Sequence, residues 1–233
     1  MQTFARAASC WFVLVLMVGC SSTEITERQA YEGAKLPRPD RIIVHDFTAD
    51  PADVPPESAF ADKLGAAPPA SEQAAARELG AKVAQELVAD LQGMGLPAVA
   101  AAGQPAPQVD DIVLRGYLIT INEGSATERV LVGFGQGAAE LHSAVEAYQT
   151  TAEGPRLLGH GEVQSGGSGD LPGVLVPLAV VAATANPIGL VVGGAAKLTG
   201  EATGSDTIEG AAKSTADAIS AQLKEAAEAQ GWI

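Results

Sequence analysis

Cysteine is almost absent from this 233-residue chain: Cys10 and Cys20 are its only two, both within the first twenty residues. Cys10 falls in a segment that reads as a removable leader and Cys20 at an acylation position, so the mature protein has no disulfide to form and must rest on packing. Basic residues are scarce as well, with 14 Lys and Arg against 28 Asp and Glu and a formal net charge of −14. The leader's one charge is Arg6, so its removal takes the net charge from −14 to −15. Such a chain repels phosphate backbones and anionic headgroups, which argues against nucleic-acid binding. Charged residues make up 18% of the chain and are scattered rather than gathered into a tail, so the acidity mainly serves solubility. Also missing are a G-x-S-x-G nucleophile context and an H-x-x-x-H pair. These gaps disfavour an enzyme, and no cofactor is expected.

What is present begins with the leader. Arg6 supplies a short basic start, residues 11–18 an apolar core, and Met17-Val18-Gly19-Cys20 occupies the place of a lipobox. Residues 1–19 therefore read as a lipoprotein signal peptide and Cys20 as the lipidated mature N-terminus, carrying acyl groups such as palmitate. Competing readings are an ordinary cleaved secretory peptide or a short uncleaved anchor, since Met17 stands where leucine is commonest. The polar Ser21-Ser22-Thr23-Glu24 and the extended Pro37-Arg38-Pro39 mark residues 20–39 as a flexible tether. Ser21 in place of aspartate favours the outer membrane, with the domain facing the periplasm; the inner membrane and surface exposure stay open.

The folded part is expected to span residues 40–170 and 200–233. Residues 41–47 form a β-branched run between Pro39 and Pro51 and predict a buried strand. Prolines 51, 55, 56, 68 and 69 then predict a long, mobile surface loop. Ser71 is a candidate cap for a helix whose stripe is Ala76, Leu79, Val83, Leu87, Leu91 and Met94, ending at Gly93 or Gly95. Residues 111–122 carry the strongest strand signal and are placed near the sheet centre. In residues 140–149, Leu141, Ser143, Val145 and Ala147 alternate with Glu140, His142 and Glu146, predicting a half-exposed strand whose hairpin partner is 156–165, with a turn at Glu153-Gly154-Pro155. Asp206 and Glu209 open a last helix with a stripe of Ile208, Ala212, Thr215, Ile219, Leu223 and Ala226, stopped by Gly231; Trp232 and Ile233 follow as an apolar tail. The order predicts an α+β fold: a mostly antiparallel sheet of about four strands with two helices on one face.

Residues 171–199 stand apart. The stretch 171–196 carries no charge, yet Pro172, Pro177 and Pro187 divide it into pieces, roughly 174–185 and 188–198, each too short to span a bilayer as a helix. An apolar helical hairpin insertion is the expectation, with Gly189 and Gly193 allowing close helix approach. Burial within the protein, membrane contact and self-association are its three possible uses.

Two further patterns invite functional readings. Residues 133–138, Gly-Phe-Gly-Gln-Gly-Ala, superficially match a phosphate loop, but the sequence after them alternates like a strand and only Arg129 is basic nearby, so a glycine-rich bulge or turn is the better reading. His45, His142 and His160 sit on three expected strands without ligand-like spacing, so surface or edge histidines are preferred to a metal site. Asp46 next to His45 points to the opposite face of a strand and makes no dyad with it.

Taken together, the runs at 38–47, 114–116 with 123–124, 129–137 and the terminal Gly231-Trp232-Ile233 resemble bacterial lipoproteins of domain of unknown function 4410. The resemblance covers most of the mature chain. It implies an envelope lipoprotein without an assigned activity, and no catalytic or binding residue follows from it. The expected function is a lipid-anchored, non-enzymatic binding or structural module, held to the membrane through Cys20 and partnered by another envelope protein or by itself. The alternative is an assembly component that inserts or oligomerises through 171–199.

Overall fold

The computed structural model describes residues 23–123, 139–166 and 207–233. The expectations for the signal peptide 1–19, Cys20, the glycine run 133–138 and the hairpin 171–199 lie outside these residues. Among them, no helix is long and apolar enough to cross a membrane.

Among the described residues six strands form one sheet: β1 (Thr23–Gln29), β2 (Ile42–Val44), β3 (Ala98–Ala100), β4 (Ile112–Asn122), β5 (Glu140–Thr151) and β6 (Gly154–Gly166), in the order β1-β6-β5-β4-β2-β3. Pairing is antiparallel from β1 through β4, whereas β2 runs parallel to both β3 and β4. The α+β class holds, but the sheet is mixed and larger than the four antiparallel strands expected. The extra strands are short or polar. β3 is three residues in a proline-rich stretch, and β1 is Thr-Glu-Ile-Thr-Glu-Arg-Gln with six of its seven residues exposed, so neither carries a hydrophobic pattern. Residues 23–29, expected as tether, are thus an edge strand, and only later positions in 20–39 serve as a connection.

Helices α1 (Gln73–Gly93) and α2 (Ile208–Gln230) pack on each other and on one sheet face. Their buried Leu79, Val83, Leu87, Leu91, Ala212, Ala216 and Ile219 join Ile42, Val44, Leu114, Leu141 and Val163 in one core. The cap of α1 differs from expectation: residues 69–72 close a turn through Glu72 N–H to Pro69 O, and Glu72, not Ser71, precedes the helix without a side-chain cap. The cap of α2 is Thr207, whose hydroxyl accepts from Gly210 N–H, and Gly231 ends it at φ +79°. On α2 the stripe drifts at its end, where Ala227 is buried and Ala226 exposed. Trp232 is half-buried and donates its indole N–H to Leu36 O, while Ile233 is exposed.

The β5–β6 hairpin turns one residue earlier than expected, with Thr151 opposite Gly154 and Gly154 at φ +126°. The larger correction concerns the proline-rich segment 49–69. Instead of passing over the surface it makes a 3₁₀ turn (Pro51–Asp53) and lays Val54, Phe60 and Leu64 against the second sheet face, where they meet Tyr117 and Ala144. Phe60 is fully buried. Both faces of β5 are therefore covered in part, and Glu146, expected at the surface, is fully buried.

Candidate functional site

The loop-covered face holds a polar cluster. In the β4–β5 register Tyr117 lies opposite Ala144 and Arg115 opposite Glu146, which sets these side chains on the face away from the helices. The Glu146 carboxylate accepts from Tyr117 Oη at 2.8 Å, Tyr148 Oη at 2.9 Å and the Ala59 N–H at 2.9 Å. Arg115 lies 5.4 Å from the Tyr148 ring centroid. Burial, reinforced by the adjacent Glu146 carboxylate, pushes both phenols well above the ordinary tyrosine range. Donors from β4, β5 and the loop converge on one carboxylate, so the cluster pins the loop to the sheet.

Beside it runs a charged chain. Lys63 donates to Glu162 on β6 and, at 2.9 Å, to Glu27 on the edge strand β1. His142 contacts Glu162 at 3.0 Å, and His160 approaches Glu27 at 3.5 Å while its ring meets Phe60 edge-on at 5.5 Å. Hydrogen bonding to Lys63 holds the Glu27 carboxyl below its usual range, and hydrogen bonding to Glu162, then Glu27, raises Lys63. His142 and His160 thus share a face of adjacent strands, while His45 lies just beyond β2, too far along the sheet to join them in any shown contact. Among the described residues no three His, Cys, Asp or Glu side chains are placed to hold a metal ion.

The helix-covered face has a different feature, a hollow of about 570 Å³ between β1, the middle of β5 and β6, and the C-terminal half of α2. Its floor is the half-buried Val145 and Ala147, which sit opposite Gly161 and Gly159 of β6. These two glycines let β1 come close: a Cβ on Gly159 would meet Gln29 O at 2.4 Å, and one on Gly161 would meet Glu27 O at 3.0 Å. Ile25, Leu158, Leu223 and Trp232 form the walls. Were this volume a sealed void, its penalty of ~24 cal/mol per Å³ would reach about 14 kcal/mol, comparable with the whole stability of a domain. It is instead an open, mostly apolar concavity, of the size that takes small molecules.

None of this was marked as a site in the sequence. Glu146 and Glu162 alternate with apolar residues and read as solvent-facing, and only their cover, a loop without hydrophobic periodicity, makes them internal. The hollow arises from Gly159 and Gly161, whose effect depends on β1 lying beside them.

With this geometry in view, comparison with known proteins gives a family. Residues 42–185 match the family described as Domain of unknown function (DUF4410). The chain belongs to this family. The DUF4410 match spans β2 through β6 and so contains the polar cluster, whereas β1 and α2, two walls of the hollow, lie outside it. Among solved structures, PelC dodecamers from Paraburkholderia phytofirmans are similar. One, a single-substitution variant, is 16% identical, with 64% of this chain and 84% of that chain covered and a TM-score of 0.35. Another is 13% identical, with 64% and 85% covered and a TM-score of 0.36. No curated protein matches the chain.

Proposed function

We propose that this DUF4410 protein is a lipid-anchored cell-envelope module, attached through Cys20, that works by binding rather than by turnover. The observation that carries the binding half is the contrast between the two faces. The buried acid Glu146 is held by three donors that tie the loop to the sheet, while the opposite face opens into an apolar hollow. The leader pattern supports the anchoring half. The position of β1 adds a consequence: its first residue, Thr23, is three residues beyond Cys20, a reach of about 10 Å, so an acyl anchor there would hold the edge strand close to the bilayer surface rather than on a long leash.

The test is membrane fractionation and radiolabelled-palmitate incorporation for the intact chain, a Cys20→Ser form and a form lacking 171–198. Label in the parent and release of only Cys20→Ser to the soluble fraction support the reading. A Cys20→Ser form that still pellets and is released when 171–198 is also removed, or a large oligomer that collapses without 171–198, would replace it with assembly through that segment.

A further inference from the structure

We propose that the hollow between β1, β5, β6 and α2 is a binding site for one lipid acyl chain. The proposal rests on the reading of the protein as a binding module and names its ligand class. Size is the first argument: about 570 Å³ falls within the ~300–1,000 Å³ of pockets that enclose a small ligand, room for one alkyl chain.

Chemistry is the second argument. The floor and walls are Val145, Ala147, Ile25, Leu158, Leu223 and Trp232, all half-buried, so apolar surface stands uncovered at the middle of the central strand pair where a filled core would hide it. A peptide entering this space would bring an N–H and a C=O at each residue and require partners for them. The lining offers little of that kind. Gln222 carries a buried Oε1 with no partner among the described residues, and His160, which also borders the hollow, turns its ring to Phe60 in the opposite layer.

The mouth gives the third argument. Arg28 of β1 and Glu225 of α2 pair across it at 3.1 Å, and Glu32 and Gln230 border the same opening. The rim is polar and the interior apolar, the arrangement that leaves a headgroup in water and a tail within.

Trp232 reports on the site. In the full chain carrying Trp11→Phe it is the only tryptophan, since the sequence has two. With the protein held soluble in an amphipathic polymer, dibrominated stearate is titrated and quenching of Trp232 is read. The expected result is saturation at one probe per chain, with affinity reduced tenfold or more by Ala147→Phe, which fills the floor, and by Ala226→Phe, which narrows the lip from an exposed helix position. Two variants guard against one that fails to fold, and circular dichroism checks both. In the Cys20→Ser form, quenching that rises without saturation, or that is equal with and without either substitution, overturns the proposal; so does a probe that binds only after 171–199 is removed, which would assign the hollow to that segment. The same titration in the Cys20→Ser form separates the two sources of acyl chain. Uptake by both forms indicates a free lipid, and uptake by Cys20→Ser alone indicates the protein's own anchor. Anchoring is read separately by fractionation, so failure of one reading is distinguishable from failure of the other.

Discussion

Replacing Glu146 tests whether the polar cluster holds the loop onto the sheet. Glu146→Leu keeps the volume close but leaves three donors, the hydroxyls of Tyr117 and Tyr148 and the N–H of Ala59, without their acceptor. Each buried donor left unpaired costs about 1–3 kcal/mol, so the expected loss is about 3–5 kcal/mol once the more exposed Ala59 amide finds water. That is a large share of the ~5–15 kcal/mol typical of a domain. Urea unfolding followed by circular dichroism measures it, and limited proteolysis reads whether the 51–64 segment is cleaved first. The companion variant is Glu146→Leu with Tyr117→Phe and Tyr148→Phe, which removes acceptor and both hydroxyl donors together. It is expected to recover to within about 1–2 kcal/mol of the parent, because a buried polar group replaced along with its partners is close to neutral. A Glu146→Leu loss below about 1 kcal/mol, or a triple variant as unstable as the single one, would refute the account of the cluster as a set of mutually satisfied groups.

The phenols of Tyr117 and Tyr148 are held protonated above the ordinary tyrosine range by burial and then by Glu146, so above about pH 10 the unfolded chain releases protons that the folded one keeps, and stability falls with pH by up to about 1.4 kcal/mol per unit for each phenol; absorbance titration near the phenolate band should show these two tyrosines ionising only together with unfolding, and ionisation in the folded state within the ordinary range would contradict the burial argument. Gly80→Ala and Gly93→Ala should have opposite signs: a Cβ on Gly80 would lie 1.9 Å from Phe47 O, so overpacking of about 1–3 kcal/mol outweighs the ~1 kcal/mol that alanine gains in a helix, whereas nothing lies within 4 Å of a Cβ on Gly93 and that substitution should stabilise slightly, both read as shifts of the thermal midpoint.

How far the sequence carried the fold depends on where periodicity was informative. α1 and α2 were legible because each buries one stripe, Leu79 to Leu91 and Ala212 to Ile219, against a single face. β4 was legible because a long run of β-branched and aromatic residues has few other uses, and β5 because apolar and polar residues alternate along it. β1 was not. Its pairing with β6 places Glu24 and Glu27 opposite Gln164 and Glu162, an edge held by backbone hydrogen bonds and by Lys63, with Ile25 its only half-buried side chain. A strand of that composition has no hydrophobic signature, and it reads as tether.

The parallel β2–β4 and β2–β3 contacts were hidden for a different reason. β2 and β3 are only three residues each, and residues 45–48 leave β2 between α1 and β4: Phe47 N–H donates to Gly80 O at 3.2 Å, Thr48 N–H to Gly116 O at 3.0 Å, and the Phe47 ring fills the space in which a Cβ on Gly116 would lie 2.3 Å away. Glycines at 80 and 116, one mid-helix and one mid-strand, look unfavourable when each element is read alone. Their reason is the segment that passes between them, and the same kind of reason makes the hollow. Gly159 and Gly161 admit the backbone of β1, which walls off a space that Val145 and Ala147 leave open. In this chain the glycines that weaken elements locally are the ones that set how the layers meet. A search for sites in related sequences should therefore begin where a glycine on β6 stands opposite a small residue on β5, with a polar edge strand beside that glycine.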